Sequence, residues 1–164
     1  MINRTQVSQV AEFVVRPALK FLGEYNDIAL WSPIAEALVV RTGVQESAKF
    51  QYIDQLTPGP GPAYGPFQME KPTLENHINW LSQPDRKDLM AKIEMLRGEW
   101  IMDTASELHG NWFLAAALCR VHYLRVNEPL PTSEDLHEIG AYWKRHYNTM
   151  AGKGTVDEFV RNNS

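Results

Sequence analysis

A glutamate at the end of an apolar helical pattern is the residue of this sequence best suited to proton-transfer chemistry. A series of positions spaced three and four apart comprises Ala35, Leu38, Val39, Thr42 and Glu46. Glu46 therefore shares the core-facing stripe of a helix. A carboxylate on that side is costly unless it borders a cleft or finds a partner. Poor hydration lets a carboxyl group keep its proton near neutral pH, as a general acid requires. The alternative is a structural glutamate bonded to a backbone group or a lysine.

A segment in the following loop could form the other side of a site. It reads Gly65-Pro66-Phe67-Gln68-Met69, and the stretch Thr57 to Pro66 before it is too rich in proline and glycine to be a helix or a central strand. A glycine lets the backbone approach a ligand ring closely. The Gln68 amide offers both a donor and an acceptor to an acetamido group. A plain junction between loop and helix is the alternative.

The apolar pattern predicts helices over nearly the whole chain. The first runs through Val7 to Val15, with a kink at Pro17 and an end at Gly23, and Ser32-Pro33 begins a helix that runs to about Ser47. Further helices are expected over Thr73 to Trp80, Asp85 to Arg97, Trp112 to Val126, Ser133 to Tyr147 and Thr155 to Asn162. The loop Gln51 to Tyr64 could hold a short hairpin.

The length of 164 residues fits one domain, and the sequence contains no internal repeat or linker that would divide it. We expect a mainly α domain with an N-terminal helical extension over residues 1–31, a core over residues 32–154 and a short C-terminal helix over residues 155–164. The helix Trp112 to Val126 is the most apolar and is expected to form the hydrophobic centre.

Composition argues against several classes of function. The net charge of −4 argues against a nucleic-acid-binding protein, which needs a clustered basic surface. The five histidines and the single cysteine show no metal-site spacing, and no cofactor-binding motif is present. Cys119 lies in an apolar run and is expected to be a buried structural thiol. The sequence shows no membrane span and no signal peptide.

Through Glu46-Ser47 and the segment Gly65 to Gln68, the chain resembles the lysozyme-like superfamily. The resemblance is closest to the branch of the soluble lytic transglycosylases and goose-type lysozymes, of the kind carried in tailed-bacteriophage particles. In that branch a glutamate at a helix end faces a cleft that a Gly-x-x-Gln segment lines. The usual segment is Gly-Leu-Met-Gln, so Pro66 and Phe67 depart from it while Gln68 is kept. The resemblance spans roughly Pro33 to Gly154.

The resemblance implies a lysozyme-like helical domain with a cleft loop rich in proline and glycine, and at most a small β-hairpin. It implies cleavage of the β-1,4 bond between N-acetylmuramic acid and N-acetylglucosamine in peptidoglycan, with Glu46 as general acid and base and no cofactor or metal. The residues expected to bind substrate are Ser47, Tyr64, Gly65, Phe67, Gln68, Tyr147 and Asn148.

The family's later motif contains a Tyr-Asn pair whose tyrosine hydroxyl bonds the catalytic glutamate. Tyr147-Asn148, followed by Gly152 and Gly154, resembles that motif. Alternatively, the helix around Ala115 to Tyr123 takes its place in space. Tyr64 is a further candidate for bonding Glu46 or stacking on a sugar.

The second catalytic group and the setting remain open on the sequence. Asp54 and Glu70 are the nearest further carboxylates, but a lytic transglycosylase needs none, because the C6 hydroxyl of muramic acid attacks within the substrate. The resemblance implies a virion-associated enzyme that acts on the host's periplasmic wall and contacts other virion proteins. A virion structural protein (of the tail, baseplate or interior) with this fold and little activity is the alternative, and a free endolysin is a third possibility.

Overall fold

The computed structural model describes residues 5–54, 59, 61–98, 103–149 and 151–164. Over these residues the chain is mainly α-helical, as predicted, with two small antiparallel sheets. The helices are α1 (Gln6–Val10), α2 (Arg16–Leu22), α3 (Pro33–Glu46), α4 (Lys71–Leu81), α5 (Lys87–Leu96), α6 (Thr104–Glu107), α7 (Trp112–Leu124), α8 (Leu136–Trp143) and α9 (Val156–Asn163). π-helical turns cover Ala11–Val15 and Lys144–Asn148, and a 3₁₀ turn covers Pro84–Arg86.

The N-terminal helical segment changes its hydrogen-bond pattern close to the predicted kink at Pro17. The π-helical turn Ala11–Val15 joins α1 to α2, and Pro17 lies in the first turn of α2. Proline has no N–H to bond the carbonyl four residues back, so the local hydrogen-bond pattern must change there. Gly23 ends α2 with a φ of +74°, which glycine adopts without strain.

Helix α3 begins and ends as predicted. The Ser32 side chain caps it by accepting a hydrogen bond from the N–H of Ala35 at 3.1 Å, and Pro33 occupies the first turn. The predicted inward stripe is buried at Ala35, Leu38, Val39 and Thr42. The helix therefore carries Glu46, its last residue, on its inner side.

Three helix starts differ from the prediction. Helix α4 begins at Lys71 with Pro72 in its first turn, so Thr73 is inside the helix and is not its cap. The 3₁₀ turn takes up Asp85, and α5 begins only at Lys87. Helix α8 is capped by Asp135, which accepts from two backbone N–H groups, so it begins later than Ser133. The short helix α6 was not predicted.

The expectation of at most one small hairpin was wrong. Strands β1 (Glu24–Tyr25) and β2 (Ile28–Ala29) form one hairpin, and β3 (Ala63–Tyr64) and β4 (Met69–Glu70) form another. Both residues of the first turn have positive φ, 48° and 63°, and they are Asn26 and Asp27, the types that tolerate this conformation. Within the predicted hairpin region Gln51 to Tyr64, the described residues pair with one another only at a single bridge, Asp54 to Tyr64, while β3 pairs with β4 outside it.

One hydrophobic cluster extends from Val10 to Phe159 and is centred on α7, as predicted. Leu19 and Leu22 of the predicted N-terminal extension are fully buried in this cluster. Cys119 is also fully buried, and burial raises the pKa of its thiol, which confirms the expected structural thiol. Among the described residues, no helix has the length and apolarity to span a bilayer.

Candidate active site

Glu46 is a partly exposed carboxyl group whose environment disfavours ionisation. It is the last residue of α3, and Ser47 follows it as the cap of that helix. Poor hydration raises the pKa of Glu46 from 4.5 to about 7, against the opposing effect of a hydrogen bond from Trp143. Glu46 is therefore about half protonated near pH 7, so both the acid and the carboxylate needed for proton transfer are populated.

Trp143 is the hydrogen-bond partner of Glu46. Its indole Nε1 donates to Oε1 of Glu46 at 2.9 Å, and its ring packs on Phe159 with centroids 5.1 Å apart. Trp143 is almost fully buried, so its N–H is fixed in direction. This partner was not predicted from the sequence. Its spacing of four residues from Tyr147 was a usable signal, because residues four apart share a helix face.

Helix α7 forms the inner wall beside Glu46. The negative charge of Glu46 raises the pKa values of Cys119 and Tyr123, after the larger effect of their own burial. The Tyr123 hydroxyl lies 2.7 Å from Oγ1 of Thr42, one turn before Glu46 on α3. The helix around Ala115 to Tyr123 therefore lies beside Glu46, but it does not replace the Tyr-Asn pair, because Tyr147 lies there too.

Tyr147 also lies at this site, but it does not make the expected bond. Its hydroxyl donates to the backbone carbonyl of Phe67 at 2.6 Å. A phenol has one proton to donate, so the prediction that Tyr147 donates to Glu46 was wrong. Burial raises the pKa of Tyr147 well above its ordinary value, and the charges of Cys119 and Glu46 raise it further, which places the phenol close to Glu46.

The bond from Tyr147 to Phe67 joins two of the three segments that the sequence predicted to form the site. It ties the π-helical turn after α8 to the turn between β3 and β4. The end of α8 reaches α3 through the bond from Trp143 to Glu46. Gly43, one turn before Glu46, packs directly against the rings of Phe50 and Phe67. Glu46, the turn Gly65 to Gln68 and Tyr147 are therefore neighbours in the fold.

The turn itself is held by internal contacts. Gly65 has a φ of +73°, and a Cβ atom there would collide with the backbone carbonyl of Leu108. Gln68 has a φ of 48°, and its side-chain Nε2 donates to the carbonyl of Gly65 at 2.8 Å. Gly65 thus allows close approach to Leu108 and not to a sugar ring, which corrects its predicted role.

Two further predicted substrate-binding residues are structural. Ser47 is almost fully buried, and its hydroxyl donates to the carbonyl of Gly43 at 2.6 Å and accepts from the N–H of Phe50 at 3.1 Å. Phe67 is 1% exposed and packs edge-on against Phe50. Neither side chain can contact a ligand without leaving the core, so both predictions were wrong.

Tyr64 and Asn148 occupy the edges of this region. The Tyr64 ring packs on His109 with centroids 5.3 Å apart. The Asn148 side chain accepts from Nζ of Lys144 at 2.7 Å and lies against Gly152, so it orders the turn after α8. Among the described hydrogen bonds, none joins Glu46 to Tyr64. The predicted contacts of Tyr64 and Asn148 with substrate stay predictions.

Glu46 lines none of four cavities whose walls are described. The largest of these four has a volume of about 590 Å³ and is lined in part by Trp112 and Phe113. The others have volumes of about 490, 380 and 310 Å³. Asp54 and Glu70, the candidates for a second carboxylate, are both exposed. Over the described ranges, no group of three His, Cys, Asp or Glu side chains is placed to hold a metal ion.

No protein-family model matches this chain, and neither a curated protein nor a solved structure matches it significantly. Only the residues and geometry above therefore bear on what the site does.

Proposed function

We propose that this protein cleaves the glycan strands of peptidoglycan, with Glu46 as general acid and then as base. The observation that carries the proposal is the raised pKa of Glu46, about 7, at the point where the end of α3, the Gly65 to Gln68 turn and Tyr147 meet. A protonated carboxyl group at neutral pH is the requirement for donating a proton to a glycosidic oxygen. The fold proposed with it is a lysozyme-like domain.

The proposed reaction begins with proton transfer from Glu46 to the oxygen between N-acetylmuramic acid and N-acetylglucosamine. The bond from the anomeric carbon to that oxygen breaks, and positive charge develops on the muramic acid ring. Ionised Glu46 then takes a proton from the attacking hydroxyl. If the attacking group is a water molecule, the product has a reducing end. If it is the C6 hydroxyl of the same sugar, the product is a 1,6-anhydro sugar.

The surroundings of Glu46 suit the double role. The Trp143 bond fixes Oε1, while no described residue donates a hydrogen bond to Oε2. The second oxygen therefore remains the one to exchange a proton with substrate. The aromatic and thiol groups nearby keep the local polarity low, which raises the proton affinity of the carboxylate.

A structural role in a bacteriophage virion, in the tail, baseplate or interior, is the second candidate. The burial of Ser47 and Phe67 and the internal bond of Gln68 leave fewer groups for a ligand than expected, and this favours the low activity of that candidate. In the enzymatic case, we propose that the protein is carried in the particle and opens the host's periplasmic wall. A free endolysin would use the same chemistry.

Mass spectrometry of muropeptides released from purified peptidoglycan tests the proposal. Anhydro ends identify a transglycosylase, reducing ends a muramidase, and no release favours the structural role. The matched pair of variants is Glu46→Gln and Glu36→Gln. Glu36 lies on the same helix and also accepts from an indole, that of Trp31 at 2.6 Å, but it pairs with Arg16. We expect a loss of about 10²-fold or more in Glu46→Gln and none in Glu36→Gln.

A further inference from the structure

A second cluster of titratable groups lies where α4 meets the end of α7. His77 of α4, His122 of α7 and Arg125 line a cavity of about 310 Å³ together with Thr73, Asn76 and Val126. His77 is almost fully buried, and Arg125 is exposed. The groups assigned to glycan cleavage do not line this cavity.

The hydrogen bonds of the cluster have one possible direction. Arginine can only donate, so Nη1 of Arg125 donates to Nδ1 of His77 at 2.5 Å. A neutral His77 then carries its proton on Nε2 and donates it to Nδ1 of His122 at 3.1 Å. His122 in turn donates from Nε2 to the carbonyl of His146 at 2.6 Å. The chain of bonds thus fixes the tautomers of His77 and His122.

Both imidazoles are neutral at ordinary pH. Burial lowers the pKa of His77 to about 3, and the charges of His122 and Arg125 contribute to the same direction. Burial is also the main reason that the pKa of His122 is lowered. Arg125 is therefore held in position by a neutral acceptor. Its orientation is fixed, but its positive charge is not neutralised.

The neighbourhood of Arg125 is also positive. Arg86 lies over one face of Trp80 at 4.2 Å from the ring centroid, and Arg125 lies 5.8 Å from the same centroid. After desolvation, the charge of Arg86 is what lowers the pKa of Arg125. Asp85 pairs with Arg86 at 3.2 Å, whereas no described carboxylate forms an ion pair with Arg125. Two guanidinium groups thus lie near one ring, and the ion pair with Asp85 is made by Arg86.

We propose that this cavity binds a phosphate group through the open edge of the Arg125 guanidinium. An oriented, unneutralised guanidinium presents paired N–H groups that match the oxygens of a phosphate. Asp85 pairs with Arg86, so Arg125 carries the uncompensated charge beside the cavity. A phosphate has more acceptor oxygens than a carboxylate and can use more donors in such a site. Asn76 and Thr73 supply an amide and a hydroxyl donor at the cavity wall. The site does not depend on the activity of Glu46.

Calorimetric titration with inorganic phosphate at pH 7.5 and constant ionic strength tests this site. We expect saturable binding to the full chain, with acetate at the same concentration binding at least about tenfold more weakly. Arg125→Gln should weaken phosphate binding about tenfold or more, which corresponds to the loss of charge-assisted hydrogen bonds. Arg161→Gln, an equal change of charge on an exposed part of α9, should leave it within about twofold. Absence of saturable phosphate binding overturns the proposal, and so does equal weakening by the two variants.

A second probe separates a free ion from a phosphate carried on a larger molecule. If glycerol 3-phosphate binds more tightly than inorganic phosphate, the cavity recognises a phosphomonoester, and equal affinities identify the ion itself. Nitrogen-15 spectra of the histidine rings give an independent location. Phosphate should shift the signals of His77 and His122 while leaving the exposed His137 unchanged. A shift of the His137 signal alone would show that the ion binds elsewhere and would overturn the assignment.

Discussion

The indole Nε1 of Trp143 donates a hydrogen bond to Oε1 of Glu46 across 97 residues of sequence, at 2.9 Å. Two opposing effects act on the same carboxyl group. Burial favours the protonated form and is the larger, while the indole bond favours the ionised form. Their balance leaves a group that titrates at about pH 7, where it can both give and take a proton.

Replacing Trp143 by Phe should raise the pKa of Glu46 further. The larger effect, burial, would remain, and the bond that stabilises the carboxylate would be lost. A carbon-13 titration of the Glu46 carboxyl group measures this directly, and the basic limb of a wall-cleavage assay should move to higher pH with it. Tyr142→Phe is the control, because the Tyr142 hydroxyl bonds the carbonyl of Glu128. A lowered or unchanged pKa in Trp143→Phe would contradict this account of the balance.

Glu46→Gln should stabilise the protein at high pH. The pKa of Glu46 is raised in the folded state. The contribution of Glu46 to the free energy of unfolding is therefore complete below about pH 4.5 and is lost as the pH rises through about 7. Keeping ionised Glu46 in the fold then costs about 3 kcal/mol. Gln cannot ionise and avoids that cost. Urea unfolding should show nearly equal stability at pH 4 and a more stable variant at pH 8.

Glu36→Gln should behave in the opposite way. Burial opposes the ionisation of Glu36, but hydrogen bonds from Arg16 and Trp31 outweigh it and lower its pKa. Its contribution is therefore present above its ordinary pKa and is lost as the pH falls. The variant should be less stable than the wild type at pH 8, with the difference shrinking in acid. If Glu46→Gln were also less stable than the wild type at pH 8, burial would not be the dominant effect on Glu46.

The sequence was sufficient to locate Glu46 because helix periodicity decides which side of α3 a residue faces. The same reasoning found the apolar α7 and the buried Cys119. It could not find Trp143, because the approach of α8 to the end of α3 depends on packing between elements far apart in the chain. It also missed the hairpin at Asn26 and Asp27, where two short strands lack an alternating pattern.

The errors at Ser47 and Phe67 have a common physical origin. A motif gives the order of residues around a cleft, but the side that each one faces is set by local backbone conformation. The positive φ of Gly65 and Gln68 turns Phe67 into the core, where an apolar ring gains most from burial. Ser47 follows the last turn of α3, where its hydroxyl is a second donor to the Gly43 carbonyl, which also accepts from the Ser47 N–H.

Tyr147→Phe should lower stability without moving the pKa of Glu46. The hydroxyl bonds the carbonyl of Phe67, and leaving a largely buried carbonyl without its donor costs about 1–3 kcal/mol. Tyr25→Phe is a matched control, since the Tyr25 hydroxyl bonds the exposed carboxylate of Asp85 and its removal should cost less than about 0.5 kcal/mol. If the pKa of Glu46 changed by about half a unit in Tyr147→Phe, a direct bond between Tyr147 and Glu46 would have to be considered again.

Gly65→Ala should be among the most destabilising single substitutions in the chain. The new methyl group would meet the backbone carbonyl of Leu108, which cannot rotate away, and the φ of +73° is strained for any residue with a Cβ atom. We expect a loss of more than about 3 kcal/mol in urea unfolding. Gly110 is the matched control, because a Cβ atom there has no atom within 4 Å. Gly110→Ala should stay within about 0.5 kcal/mol of the wild type. Equal stability of the two variants would mean that the turn does not rest on Leu108, and the Gly65 to Gln68 segment would then be free to approach a ligand.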